Sequence, residues 1–323
     1  MTHLLNLLAA IALLVWGTHL VRKGILQVFG SKLRSVLGVG MKNRFTAMLS
    51  GFAVTALVQS STATALIVSS FVGQGLVGLT PALAVMLGAD IGTSVMAVLF
   101  SLDLSWLSPL FILVGVFLFV TRPDTTAGRV GRVLIGLGLM LLALRLVTNS
   151  TVVLTQSPAV KALLATLSSD LLLELLVGAM LVVFSYSSLA IVLLTATIAA
   201  SGGVPIEVAL GLVLGANLGS GLLAVITTAK SDIASRRVPM GNLLFKMVGV
   251  LIALPLLSFW LPLAQQYTKD PAQLVVILHL CFNLMVGLIC ITFTQWFAQL
   301  AEIILPDVKS AESKIARHHH LDP

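Results

Sequence analysis

Long apolar runs, separated by short polar breaks, make up most of the chain. Leu4–Leu20, Phe45–Phe71, Leu76–Leu102 and Leu104–Thr121 are such runs, and others continue as far as Leu305. Each is close to or longer than the roughly 20 apolar residues that a helix needs to cross a bilayer. Strands of a membrane barrel would instead alternate polar and apolar residues. The pattern therefore predicts an all-α polytopic membrane protein.

Two polar clusters interrupt these runs. Gln59–Thr62 (Gln-Ser-Ser-Thr) lies inside Phe45–Phe71, and the glycine-flanked segment Gly88–Ser94 lies inside Leu76–Leu102. An unpaired amide or hydroxyl is costly in hydrocarbon, so these groups must pair within the protein or face water and a ligand. We expect a re-entrant helical hairpin at the first cluster and a broken transmembrane helix at the second. Close packing of helices through small residues is the alternative explanation.

The same polar pattern recurs further along the chain. When Gly88 is placed on Gly215 (215 − 88 = 127), the two regions align without a gap for about forty residues. The polar positions that coincide are Gln59 and Tyr186, Ser60 and Ser187, Ser61 and Ser188, Asp90 and Asn217, and Thr93 and Ser220. Repeats with polar interruptions at equivalent places are typical of secondary transporters.

Composition agrees with a membrane protein. Hydrophobic residues make up 58% of the 323 residues, charged residues only 10%, and the mean hydropathy is +1.08. Soluble domains carry about 25% charged residues. The net charge of +7 comes from basic residues in a few loops, which set membrane orientation, so we predict no nucleic-acid partner.

The distribution of basic residues predicts how the two repeats are oriented. The segment Arg22–Arg44 holds six basic residues and is expected to lie along the membrane surface, whereas the equivalent Asn149–Asp170 holds only Lys161. Because basic loops stay cytoplasmic, this asymmetry predicts inverted repeats with an external N-terminus and a cytoplasmic C-terminus. Reading Phe45–Phe71 and Leu171–Ala200 as re-entrant hairpins, or as two full crossings each, gives the same sidedness.

Four segments follow from this interpretation. Residues 1–127 form the first repeat with a linking helix, and 128–232 form the second repeat. Residues 233–305 add further transmembrane helices, and 306–323 form a cytoplasmic tail. We also expect His279 and Asn283, four residues apart on the last helix, to make hydrogen bonds between helices.

The polar clusters contain the chemistry of a binding site and lack that of an enzyme. The sequence offers no paired acid and base, no metal cluster and no nucleophile with an obvious partner. A helix N-terminus suits an anion such as phosphate, and exposed carbonyl groups suit sodium. Asp90 is an ionisable residue within an apolar segment, which is costly. It either serves the function or forms a structural pair with Arg145 or Lys246.

Taken together, these motifs resemble the type II sodium/phosphate cotransporter family. The resemblance rests on Gln59–Thr62 followed by Gly88–Ser94, and on the second copy Gly215–Gly219. It implies a bacterial plasma-membrane carrier that couples phosphate movement to sodium by alternating access, and it makes a homodimer plausible. The substrate-binding candidates are Gln59, Ser60, Ser61, Thr62, Tyr186, Ser187 and Ser188. The sodium-binding candidates are Asp90, Thr93, Ser94, Asn217 and Ser220.

The chain also departs from the family pattern, which often has Gln followed by three Ser in both repeats. Here the first motif ends in Thr62, and the second reads Tyr186–Leu189 (Tyr-Ser-Ser-Leu). Export of phosphate or transport of another small oxyanion is therefore an alternative, and a channel or structural membrane protein is a second one. Relatives often carry a cytoplasmic PhoU-like domain, and we expect one to follow the tail 306–323.

Overall fold

The computed structural model describes residues 2–168 and 170–307, in which every regular element is a helix. The predicted all-α class is confirmed. The histidines of the predicted tail lie outside the described residues. The helices are α1 (Thr2–Gly40), α2 (Arg44–Val58), α3 (Ser61–Gly73), α4 (Leu79–Ser101), α5 (Ser108–Thr121), α6 (Thr126–Leu154), α7 (Pro158–Leu167), α8 (Leu171–Ser185), α9 (Ser188–Ala200), α10 (Ile206–Thr227), α11 (Ile233–Ala264), α12 (Pro271–Cys290) and α13 (Thr294–Ile304).

Six helical stretches in the described part of the chain are long and apolar enough to cross a membrane, or up to seven if the bent pair α7 and α8 is one span. Four of them are α1, α4, α6 and α10, and the others are α11 and the combined stretch Pro271–Ile304. Large apolar side chains such as Leu113, Phe117 and Phe259 are exposed, as expected for a surface that faces lipid. The protein is a multi-pass helical membrane protein.

Helix α1 differs from its predicted form. The sequence indicates a span that ends at Leu20 and a separate surface segment from Arg22, but α1 continues without interruption to Gly40. No proline or glycine-rich turn separates the two parts, so nothing in this stretch stops the helix. As a result, Arg22 lies one helical turn beyond His19 on the same helix.

The helix boundaries repeat along the chain with the same spacing as the sequence motifs. Helices α2, α3 and α4 begin at Arg44, Ser61 and Leu79, and α8, α9 and α10 begin 127 residues later in each case (for example 171 − 44). Helix α2 packs against α4, and α8 packs against α10 in the same way. Each set therefore has a helix break followed by a long, largely buried helix.

The predicted break within the Gly88–Ser94 segment is wrong, because α4 passes through it as a regular helix. Glycine serves here to let two helices approach closely. A Cβ added to Gly88 would lie 1.7 Å from the carbonyl oxygen of Met48 on α2. The second copy repeats this contact, since a Cβ on Gly215 of the unbroken helix α10 would lie 2.3 Å from the carbonyl oxygen of Leu175.

Candidate functional site

The turn between α2 and α3 has a distinctive backbone. Gln59 adopts the left-handed conformation (φ 60°, ψ 27°), and Ser60 is extended and caps the N-terminus of α3. The Ser60 hydroxyl oxygen accepts a hydrogen bond from the Ala63 N–H at 3.1 Å. Serine is a favoured residue at this position because its oxygen satisfies one of the free N–H groups of the first helical turn.

The turn between α8 and α9 has the same geometry. Tyr186 is left-handed (φ 57°, ψ 23°), and the Ser187 hydroxyl oxygen accepts from the Ala190 N–H at 3.2 Å. Gln59 and Tyr186 are the only residues other than glycine with a positive φ in the described part of the chain. Such residues cost about 1–3 kcal/mol each and cluster at functional sites. The paired backbone outliers make the two turns candidates for a functional site.

Both turns line a single small pocket. The pocket is about 10 Å³ in free volume, close to the space of one water molecule. Its wall includes all seven substrate-binding candidates predicted from the sequence, together with three residues of α1. The lining residues are Thr18, His19, Arg22, Gln59, Ser60, Ser61, Thr62, Tyr186, Ser187 and Ser188.

Arg22 and His19 supply a charged side to this pocket. The Arg22 guanidinium donates from Nη2 to Nδ1 of His19 at 3.0 Å. Since arginine has no acceptor, His19 Nδ1 must accept, which leaves the His19 proton on Nε2. Sequence reasoning missed Arg22 because it assigned that residue to a surface connector. The signal that could have found it is the resemblance of Gly17–Val21 to Ala143–Val147, 126 residues later, because it includes this part of α1 in the repeat unit.

The two turns are equivalent in backbone but not in side chain. Gln59 is 8% exposed, and its Oε1 atom has no hydrogen-bond partner among the described residues. Tyr186, at the equivalent position, is 50% exposed. A buried acceptor without a partner is costly and is suited to receiving a donor from a ligand or water. The first turn therefore presents a free amide oxygen that the second turn lacks.

Asp90 forms a buried ion pair in a second polar cluster. Its Oδ1 atom lies 2.9 Å from Nζ of Lys246 on α11, and both side chains are nearly inaccessible to solvent. Lys246 Nζ also donates to the hydroxyl of Ser220 on α10. Of the two partners that the sequence allowed for Asp90, the structure selects Lys246. Arg145 instead lines a separate cavity.

The remaining sodium-binding candidates have partners of their own. Thr93 donates to the Ala89 carbonyl at 3.3 Å, and Ser94 donates to the Asp90 carbonyl at 2.8 Å. Asn217 donates to the Val213 carbonyl at 2.9 Å. Thr93 therefore bonds only within its own helix, while Ser94 and Asn217 also take part in a network between helices.

That network joins α4, α10 and α12. The Asn283 amide nitrogen lies 2.8 Å from the Ser94 hydroxyl and 3.0 Å from Oδ1 of Asn217. The Asn217 amide nitrogen donates to Nδ1 of His279 at 3.0 Å. The prediction that His279 and Asn283 make hydrogen bonds between helices is confirmed. Side chains of α12 therefore connect α4 with α10, its counterpart in the second copy, by hydrogen bonds.

Known proteins similar to this chain belong to a class that fits a multi-pass helical protein with two matching turns around one polar pocket. Residues 13–149 match the family model described as Na+/Pi-cotransporter, and the predicted family resemblance is confirmed. The chain is 48% identical over 322 residues to "Putative inorganic phosphate export protein YjbB" of Escherichia coli K12 and, at the same identity, to that of Escherichia coli O157:H7.

These alignments cover 100% of this chain and 59% of each Escherichia coli protein, so the chain spans about three fifths of their length. The chain is also 24% identical over 306 residues to "Uncharacterized protein YqeW" of Bacillus subtilis, covering 94% of this chain and 98% of that protein. No solved structure matches the chain.

Proposed function

We propose that the chain carries inorganic phosphate across the membrane, coupled to sodium, with phosphate bound where the two turns meet. The observation that supports this most directly is the pocket itself, in which Ser60, Ser187 and Arg22 converge from three helices. The family match and the name of the Escherichia coli relatives support phosphate as the substrate.

The chemistry of the pocket suits a small oxyanion. Helices α3 and α9 begin at the pocket, and the first N–H groups of a helix have no partners within it. These groups and the positive end of the helix dipole attract negative charge. Arg22 adds a full positive charge with a planar set of donors that fits phosphate. The serine and threonine hydroxyls complete the coordination without offering a catalytic base.

Two further cavities support alternating access between inverted repeats. One of about 300 Å³ is lined by residues of α9 and the end of α4, and one of about 310 Å³ by residues of α3 and the loop after α10. Their linings include equivalent positions of the two copies, such as Leu193 and Leu66, Thr197 and Ser70, and Ser101 and Thr228. We infer that they open on opposite sides of the membrane.

The charged residues that line each cavity indicate which side of the membrane the cavity faces. Asp103 and Asp270 line the first cavity, and the predicted topology, in which the basic loops are cytoplasmic, puts both residues outside. Asp232, in the loop that carries Lys230 and Arg236, lines the second, which the positive-inside rule places in the cytoplasm. The central pocket has room for about one water molecule in this conformation, so we infer that the turns separate toward one cavity or the other during transport.

We assign sodium binding to the second polar cluster, the one around Asp90 and Lys246. The oxygens of Asp90, Thr93, Ser94, Asn217 and Ser220 are of the type that hard cations prefer. A cation at this cluster offsets part of the phosphate charge, so binding of the two ions is mutually favourable. In the present conformation Lys246 supplies that positive charge.

Labelled phosphate flux into proteoliposomes tests the proposal. We expect uptake to require a sodium gradient, and we expect Ser60→Ala and Ser188→Ala each to abolish it. Ser258→Ala is the matched control, since Ser258 is exposed on α11 and away from the pocket. Flux that needs no sodium and tolerates both substitutions would contradict the proposal.

Export is the second candidate, and the name of the Escherichia coli relatives favours it. The same proteoliposomes separate the two directions when the sodium gradient is reversed and vesicles are preloaded with labelled phosphate. Saturation and counterflow would exclude a channel. Competition by arsenate but not sulfate is expected if the substrate is phosphate.

A further inference from the structure

The buried pair of Asp90 and Lys246 joins parts of the molecule that the repeat does not relate. Asp90 lies on α4 of the first copy and Ser220 on α10 of the second, whereas Lys246 belongs to α11, outside both. The Lys246 ammonium contacts the oxygens of both other residues. A single positive charge therefore bridges the two copies at their polar centres.

The surroundings of this charge offer oxygens to a cation. Oδ2 of Asp90 and Oδ1 of Asn242 are buried and have no hydrogen-bond partner among the residues that the structure describes. The Asn242 side-chain amide adjoins the Asp90 carboxylate as a donor, and His279 of α12 lies near Lys246. Oδ2 of Asp90 is therefore an anionic oxygen of the type that hard cations accept as a ligand.

Only the first copy has this charge. At the position of Asp90 the second copy has Asn217, which is satisfied by neutral hydrogen bonds to His279 and Asn283. A buried carboxylate that stays ionised needs a cation beside it, because an unpaired buried charge is strongly destabilising. Either an ammonium or a metal ion can fill that role. The two do not occupy the same position beside the carboxylate together, because like charges repel each other.

We propose that Lys246 is a tethered competitor of sodium at Asp90. In this conformation the ammonium holds the cation position, and a sodium ion binds Asp90 only after the ammonium has moved away. Lys246 thereby sets the sodium concentration at which the carrier works. The choice of sodium as the competing ion rests on the proposed function.

Cation-specific thermal stability of the purified chain tests this inference without any transport. Lys246→Ala removes the tethered charge and leaves space beside Asp90. We expect this variant to unfold at a lower temperature than the wild type in choline chloride. In sodium chloride of equal ionic strength its Tm should rise by at least about 3 °C, because the free ion replaces the ammonium.

Two further variants make the result specific. Asp90→Asn with Lys246→Ala removes the carboxylate as well, and its Tm should be the same in both salts. Lys230→Ala removes an exposed lysine and should show no sodium-specific rise. Equal Tm values for Lys246→Ala in sodium and choline, or a sodium-specific rise that persists in the double variant, would overturn the inference.

If Lys246→Ala does not fold in either salt, Lys246→Gln is measured in the same way, because glutamine keeps most of the side-chain volume of lysine. A higher Tm in sodium chloride than in choline chloride would support the inference, and equal Tm values would overturn it. Failure of the proposed function would appear separately, as absence of phosphate flux in the wild type. A sodium-specific rise in the variant would stand even then, because the melting experiment contains no phosphate.

Discussion

Arg22 is the residue that gives the pocket its charge. Its guanidinium is held by His19 at 3.0 Å, and its neighbours across the pocket are hydroxyls and helix N-termini. At this scale the sequence predicted all seven motif residues in the pocket wall but not the arginine. The left-handed backbone of Gln59 and Tyr186 was also beyond sequence reasoning, because neither residue type favours that conformation.

Replacing this arginine should weaken phosphate binding more than it weakens folding. Arg22→Gln removes a charge-assisted hydrogen bond worth about 1.5–3 kcal/mol, so we expect the half-saturating phosphate concentration to rise roughly 10-fold to 100-fold. The measurement is the concentration dependence of labelled phosphate flux. Arg34→Gln, an exposed arginine on the same helix, is the control and should leave the value unchanged.

At the scale of the helices, the turns and the glycine contacts set the geometry. The sequence predicted hairpins at Gln59 and Tyr186, and the structure has helix breaks at both. The sequence also predicted a break at Gly88–Ser94, where the structure has a regular helix. Glycine permits either outcome, and only the close approach of α2 to α4 decides between them.

The glycine contacts give a direct stability prediction. Gly88→Ala places a Cβ 1.7 Å from the Met48 carbonyl oxygen, so the helices must move apart at a cost of about 1–3 kcal/mol or more. Gly30→Ala is the matched control, since a Cβ at Gly30 meets nothing within 4 Å and alanine favours a helix. We expect thermal unfolding in detergent to show a lower Tm for Gly88→Ala and an equal or higher Tm for Gly30→Ala.

Equal Tm values for the two glycine variants would contradict this account of the close contact between α2 and α4. The equivalent change Gly215→Ala, opposite the Leu175 carbonyl, should behave like Gly88→Ala. A difference in sign between these two would mean that the copies do not share the same packing.

At the scale of the whole molecule, the repeat organises both the fold and the cavities. An offset of 127 residues read from the motifs also relates the helix boundaries and the linings of the two outer cavities. The sequence named Lys246 as one of two possible partners of Asp90, but it could not choose between Lys246 and Arg145 or predict the contact of Lys246 with Ser220, because α11 lies outside the repeat. It missed the position of Arg22 in the pocket because it divided α1 in two. The homodimer and the PhoU-like domain stay predictions.

Labelling from the two sides of the membrane tests whether the outer cavities face opposite ways. Cys281 and Cys290 are first replaced by serine, and single cysteines are then placed at Ser70 and Thr197. We expect a membrane-impermeant thiol reagent to label Ser70→Cys from the cytoplasmic side and Thr197→Cys from the outside. Labelling of both from the same side would contradict the inverted arrangement.

The central claim is that the two turns form one phosphate site. Saturation binding of labelled phosphate to the purified chain, in sodium chloride, tests it most directly with Ser60→Ala, Ser187→Ala and the exposed control Ser258→Ala. The account predicts one site per chain, weakened by either pocket substitution and unchanged in the control. A phosphate affinity that is unchanged by the loss of either serine, or that falls for one of the two serines only, would contradict it.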